Sequence, residues 1–231
     1  MTIARKLSYG TASWLNFEFQ CGRGHLFEEK YLSVPIGQIL TSQFGENVIS
    51  EYDHPHLVQY TNGRGKKPKI DFVVEEGNDV TYAIEVKWAG QTLPKEEDII
   101  WDLIRLELMS HFYNSKAIFI IAGQNKRINK LLESDAFCGC TNDESPRPIL
   151  KTGNFRSMGF KLDNPIQSRI KSIKSLSHNY NGLRFPCKIS TKRPVIYPSI
   201  CNTTDFQVYV WELTNSINRT DFNPQEHSLY R

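Results

Sequence analysis

No apolar run in the chain approaches the roughly 18 residues that a membrane-crossing helix needs, so no membrane partner is expected. Met1 to Gly10 lacks the continuous apolar core of a secretory signal, and a cytoplasmic location is expected. Cysteine is scarce: Cys21, Cys138, Cys140, Cys187 and Cys201 are five in number and irregularly spaced. That suits reduced thiols better than a disulfide framework. Cys138-Gly139-Cys140 with Cys187 and Cys201 offer zinc-type ligands, as do Cys21 and His25, but neither spacing is a usual zinc pattern. A glycine-rich phosphate loop, a nucleophile elbow and histidines paired at metal-ligand spacing are all missing, which ranks other enzyme chemistries last. His54 and His56 flank Pro55 and read as satisfied or solvated loop histidines. Repeats and low-complexity linkers are absent too, so no firm domain boundary is marked.

What is present is a globular composition, 39% hydrophobic and 23% charged over 231 residues. That length suits one domain with an elaboration or two small ones, and buries a sizeable core. The most informative stretch is Ile70-Asp71-Phe72-Val73-Val74 followed by Tyr82-Ala83-Ile84-Glu85-Val86-Lys87-Trp88, with the turn-forming cluster Glu75-Glu76-Gly77-Asn78-Asp79 between. β-branched and aromatic runs around such a cluster predict a hairpin. Side chains alternate along a strand, so Glu85 and Lys87 share a face with Ala83, away from Tyr82, Ile84, Val86 and Trp88. With the turn near Gly77, paired positions sum to about 154 to 156, and either even register brings Asp71 to the face of Glu85 and Lys87. Carboxylates so placed are about 5 to 8 Å apart at Cβ and can share one divalent ion. A half-solvated hairpin with a polar face fits the alternation as well. The apolar flanks of Glu85 and Lys87 instead suggest a buried strand, where charge is costly unless paired or metal-bound.

Asp71 followed by Glu85-Val86-Lys87 on the next strand resembles the active-site motif of the PD-(D/E)xK nuclease superfamily, over roughly Gly24 to Gly123. The chain departs from that motif at one place, with Ile70 where the family often has proline and Pro68 three residues before Asp71. The resemblance implies an α/β restriction-endonuclease-like core, a mixed central sheet flanked by helices. It also implies a divalent-metal-dependent endonuclease acting on DNA, with RNA not ruled out. By the same resemblance Asp71, Glu85 and Lys87 are catalytic. Mg²⁺ or Mn²⁺ would be held by Asp71 and Glu85, with Glu29 and the Val86 carbonyl completing the set and Glu28 competing with Glu29. A homodimer or a partner subunit would let both strands of a duplex be cut.

The flanking elements agree with the order helix, three strands, helix, strand, helix that the resemblance implies for the core. Residues 1 to 24, with Trp14, Leu15, Phe17 and Phe19, suggest a short strand or aromatic flap. His25 to Phe44 has helical spacing that bends or restarts at Pro35. Asn47 to Tyr52 reads as a strand, and Thr61 to Lys69 as a flexible loop whose Arg64, Lys66, Lys67 and Lys69 could touch a phosphate. Leu93 to Tyr113 is the clearest helix, with Pro94 in its first turn, Glu96, Glu97 and Asp98 at its positive end, and Asp102 and Arg105 either pairing on its surface or meeting the site. Lys116 to Ala122 suits a strand buried on both faces, and Asn125 to Phe137 returns to helical spacing.

Charge is distributed unevenly. Between Arg147 and Arg193 there are eleven Lys or Arg against one acid, Asp163, so 47 residues carry +10 and the rest of a +3 chain carries −7. Such a stretch suits salt-sensitive phosphate binding. Arg169, Lys171, Lys174, Lys192 and Arg193 are the expected contacts there, and Phe155, Phe160, Tyr180, Phe185 and Tyr197 could stack on bases. Residues 1–145 are thus read as the nuclease-like core, and 146–231 as a basic C-terminal region that either binds nucleic acid itself or completes the same domain. Phe206 to Leu213 alternates like a late strand, and the tail after Asn218 looks weakly ordered. A non-catalytic nucleic-acid-binding module with the same fold is the alternative function.

Overall fold

In the computed structural model the described residues are 1–60, 67–138, 148–153, 155–162, 166–202, 204–214 and 219–230. Two helices open the chain: α1 (Ile3–Gln20) and α2 (Glu29–Phe44). The hairpin region follows as β1 (Val48–Asp53), β2 (Lys69–Glu76) and β3 (Asp79–Ala89). Next come α3 (Glu96–Tyr113), β4 (Lys116–Gln124), α4 (Asn125–Leu132) and the short α5 (Asp135–Cys138). The remainder supplies β5 (Ser157–Lys161), α6 (Gln167–Asn179), β6 (Phe185–Pro186), β7 (Lys188–Lys192), β8 (Val195–Tyr197), β9 (Phe206–Glu212) and β10 (Asp221–Phe222).

The chain is mixed α/β. A six-stranded sheet in the order β1-β2-β3-β4-β9-β8 lies between helices. Strands β1, β2 and β3 form an antiparallel meander. Helix α3 then crosses over to β4, which runs parallel to β3, the kind of connection that parallel pairing requires. The two-residue link Gly77-Asn78 joins β2 to β3, with Gly77 at φ 69°, a conformation free of steric cost only without a Cβ. Phe72 pairs with Ile84 and Val73 with Ala83, so of the two even registers expected it is the one summing to 156 that forms next to the site. A register shift between Val74 and Glu75 confines the irregularity to the turn end.

Alternation sorts the sheet into two cores. Phe72, Ile84, Val86, Ile118, Ile120, Val208 and Val210 face α1 and α2, where Leu7, Leu15, Leu32, Ile36 and Leu40 meet them. Val73, Ala83, Phe119, Ile121, Tyr209 and Trp211 face α3 and the C-terminal elements. Strand β4 is buried along nearly its whole length, as its apolar run predicts. No helix among the described residues is long and apolar enough to cross a membrane.

Several sequence expectations are corrected. Residues 3–20 form a helix, not a strand or flap: Ala4, Leu7, Ser8, Thr11, Ala12, Leu15 and Glu18 make one buried stripe, and the aromatics that suggested a strand lie off it. Thr2 caps this helix, its hydroxyl accepting from the Arg5 N–H at 3.4 Å. Helix α2 begins at Glu29 rather than His25 and runs through Pro35 as one helix. Pro94 precedes α3 instead of opening it, because Lys95 is the N-cap. Asn114, at φ 53°, closes α3 in the left-handed conformation. The span 125–137 is two helices, not one. Strand β9 lies beside β4 in the central sheet, so a boundary at residue 145 would cut that sheet. The tail is also tied down: Arg219 is ion-paired to Glu107 at 2.9 Å and Asp221 at 2.8 Å, and Tyr230 is buried with its hydroxyl donating to the Leu162 carbonyl.

Candidate active site

Carried one residue past the Phe72–Ile84 pair, the β2-β3 register brings Asp71 to Glu85 on the face turned to α3, with Lys87 two residues further along. The Val86 N–H donates to Asp71 Oδ2 at 2.7 Å, fixing that carboxylate against the neighbouring strand. Glu85 has no solvent exposure and Lys87 is 8% exposed, while Asp71 is half-buried. Glu29, in the first turn of α2, reaches over the sheet, and Lys87 Nζ donates to its Oε1 at 3.3 Å. Glu29 is therefore the partner that arrives there, and Glu28, the residue preceding α2, is not shown in such a contact.

Helix α3 adds two groups. Asp102 is 2% exposed, and its Oδ2 lies 2.8 Å from Lys87 Nζ. Arg105 joins Asp102 Oδ1 to Glu85 Oε1, the latter at 2.9 Å, and also donates to the Lys69 carbonyl. Of the two readings of this pair, a surface pair is excluded: both residues sit in the charged cluster. The sequence signal was available, because Asp102 is in helical register with Ile99, Leu103 and Leu106 on the apolar face, where an unpaired carboxylate is costly. Behind it, the buried His54 accepts the Leu57 N–H at Nδ1 (3.3 Å), so Nε2 carries the proton and donates to the Arg105 carbonyl at 3.1 Å.

Four carboxylates (Glu29, Asp71, Glu85, Asp102) thus surround two cations (Lys87, Arg105), a formal surplus of two negative charges. Burial, opposed by Lys87, pushes the Asp71 and Glu29 carboxyls above their usual range. Burial also raises Glu85 well above its ordinary value, with Arg105 opposing and Asp102 and Asp71 adding to the rise. Burial alone would lower the Lys87 ammonium, but Asp102, Glu29 and Asp71 outweigh it and hold it above its normal value. Lys87 therefore stays protonated at neutral pH and is suited to orient and neutralise rather than to accept a proton.

Glu85 Oε2 is buried without a hydrogen-bond partner, and every available donor in the set is a hard oxygen, the ligand type that Mg²⁺ and Mn²⁺ prefer. Among the described residues no group of three His, Cys, Asp or Glu converges as a ready metal site. Mg²⁺ is commonly bound by only one or two carboxylates, with water and phosphate completing the shell, so a site of that kind would ask no more of the chain than Asp71 and Glu85. The Val86 carbonyl, another expected ligand, accepts from Lys87 Nζ at 3.3 Å.

Glu29 and Lys87 open into a cleft of about 320 Å³, walled by Trp88, Thr92, Leu93, Pro94, Lys95 and Asp98. The expected phosphate contacts are distributed unequally. Arg64 and Lys66 lie outside the described residues. Lys67 and Lys69 are exposed at the start of β2, 3.1 Å from Asp53 and 3.7 Å from Glu51. Lys171, Lys174, Lys192 and Arg193 are exposed, Lys192 being 2.5 Å from Glu212. Arg169 is a correction: it is fully buried, and its Nε donates to the Ala136 carbonyl at 2.7 Å, so it helps join α6 to α5 instead of meeting solvent. Of the aromatics proposed to stack on bases, Phe160 and Phe185 are core residues, Tyr180 packs on Trp101 and Tyr197 on Tyr9. No protein-family model, curated protein or solved structure matches this chain.

Proposed function

We propose that the protein is a divalent-metal-dependent endonuclease of restriction-endonuclease-like fold that hydrolyses phosphodiester bonds in DNA. The observation that carries this reading is the meeting of Asp71, Glu85 and Lys87 on one face of the β2-β3 hairpin beside an open cleft. The order helix, three strands, helix, strand, helix, which the resemblance implies for the core, is also the order from α2 to α4. Asp71 and Glu85 would hold Mg²⁺ or Mn²⁺, with Glu29 at the rim. When bound, that ion polarises a phosphate and makes a water more acidic. Lys87 offsets charge on the phosphate as it is attacked, Asp102 fixes the ammonium, and Arg105 holds the buried end of Glu85. The exposed lysines of the C-terminal half supply sequence-independent attraction to the backbone.

One observation favours the non-catalytic reading: Glu85 and Lys87 are already charge-compensated by Arg105 and Asp102. Cleavage of labelled linear, circular, single-stranded and branched DNA, and of RNA, separates the two. Wild type should cut in Mg²⁺ and stop in EDTA, and Lys87→Ala or Asp71→Ala should cut at least about 10²–10³-fold more slowly while still binding DNA. Salt-sensitive binding without cleavage by the wild type selects the binding module.

A further inference from the structure

The cleft at Lys87 does not end at Trp88. Trp88 and Thr92 also line a second cleft of about 600 Å³, within the size range of small-molecule sites. Its walls are aromatic: Phe19, Phe27, Trp88 and Phe206. Trp88 stacks on Phe206 with ring centroids 5.9 Å apart and planes at 17°, and Phe27 meets Trp88 edge-on at 5.8 Å. Two lining glycines seat these rings. A Cβ on Gly90 would collide with the Trp88 indole nitrogen, and one on Gly24 would lie 2.6 Å from Phe19 Cδ2.

Phe19 meets Phe206 edge-on at 5.2 Å yet is 51% exposed, so its ring is not a core residue. Gln91 and Gln124 bring primary amides to the same walls, and each amide offers a donor and an acceptor. Flat apolar faces beside paired donor–acceptor groups match a nucleobase, which presents a π face and a hydrogen-bonding edge.

We propose that this cleft takes one unstacked nucleobase from a strand whose backbone lies in the Lys87 cleft, so that the substrate is engaged single-stranded or locally opened. The placement of the backbone rests on the nuclease reading above; the base site rests on the aromatic cleft itself. Unstacking a base from a duplex costs free energy that a single strand does not require, so single strands are the preferred form.

The test is equilibrium binding, in EDTA, of a short labelled single-stranded deoxyoligonucleotide, of the same strand with one abasic site at each position in turn, and of its duplex. Wild type should prefer the single strand and lose about 5- to 150-fold in affinity when one particular base is missing. Phe19→Ala, a change at an exposed ring, should bind the intact strand more weakly by a similar factor and cease to discriminate the abasic strand; Gln91→Ala should reduce the discrimination. Wild-type indifference to every abasic position, failure to bind the strand, or unchanged behaviour of Phe19→Ala overturns the base site. Base discrimination without Mg²⁺-dependent cleavage upholds the base site and removes the nuclease reading. Cleavage with indifference to abasic positions does the reverse.

Discussion

The Arg105 guanidinium lies 2.9 Å from a Glu85 carboxylate that has no solvent exposure, and it also meets Asp102. Removing one partner of a buried ion pair leaves the other charged and unsolvated, which costs about 3–5 kcal/mol. Arg105→Ala should lose that much stability in denaturant unfolding, and Glu85→Gln in the same chain should recover most of it. Equal stability of Arg105→Ala and wild type would show that Glu85 is not charged in the folded chain. His54 gives a pH dependence of definite sign. Burial holds its imidazole down at about 4, against an ordinary 6.5, so the folded chain keeps it neutral while the unfolded chain takes up a proton. Its contribution is complete above about pH 6.5 and is lost as pH falls toward about 4. Wild type should therefore lose about 3 kcal/mol more than His54→Gln between those limits, read as unfolding free energy against pH. At this scale the sequence marked Asp71, Glu85 and Lys87 but left Asp102 and Arg105 open, because i, i+3 spacing is the same for a surface pair and a buried one.

Elements differ in how openly the sequence announces them. The β2-β3 hairpin was legible because turn chemistry and period-2 alternation are local, and together they fix which face Asp71 shares. Helix α1 was not, because its buried stripe contains Ser8, Thr11 and Glu18 while Phe17 and Phe19 point outward. Ser8 and Glu18 are tolerated there by partners that no local pattern names: Ser8 Oγ donates to the Val208 carbonyl at 2.9 Å, and Glu18 accepts from Arg23 and Tyr31. The β5-β7 pair sets Lys161 directly opposite Lys188, both exposed. Like charges so placed repel, and under the proposed function they would meet a phosphate. Replacing either by Gln should leave thermal stability unchanged or slightly raised, while lowering the salt slope of DNA binding by about 1. A slope unchanged in both variants would remove this ribbon from the binding surface.

For the molecule as a whole, the central sheet is closed by strands from the far end of the chain. Strand β9 pairs with β4 from Ile118 to Gln124, and Trp211 and Tyr209 pack in the core beside α3. A fragment of residues 1–145 would expose the edge of β4 and a row of apolar side chains on both faces. It should therefore be insoluble or show no cooperative thermal transition by circular dichroism, whereas the full chain unfolds cooperatively. Cooperative unfolding of that fragment would show that the core is independent of β9. The sequence by itself determined the helix and strand order from α2 to β4, the even parity of the hairpin register, and the shared face of Asp71, Glu85 and Lys87, since each follows from short-range periodicity and turn chemistry. Tertiary structure alone decided that Arg169 is buried, that Arg105 bridges Asp102 and Glu85, that β9 joins β4, and that Phe19 and Trp88 line a common cleft. Those outcomes depend on burial and on charges brought together from distant parts of the chain, and no local pattern carries that information.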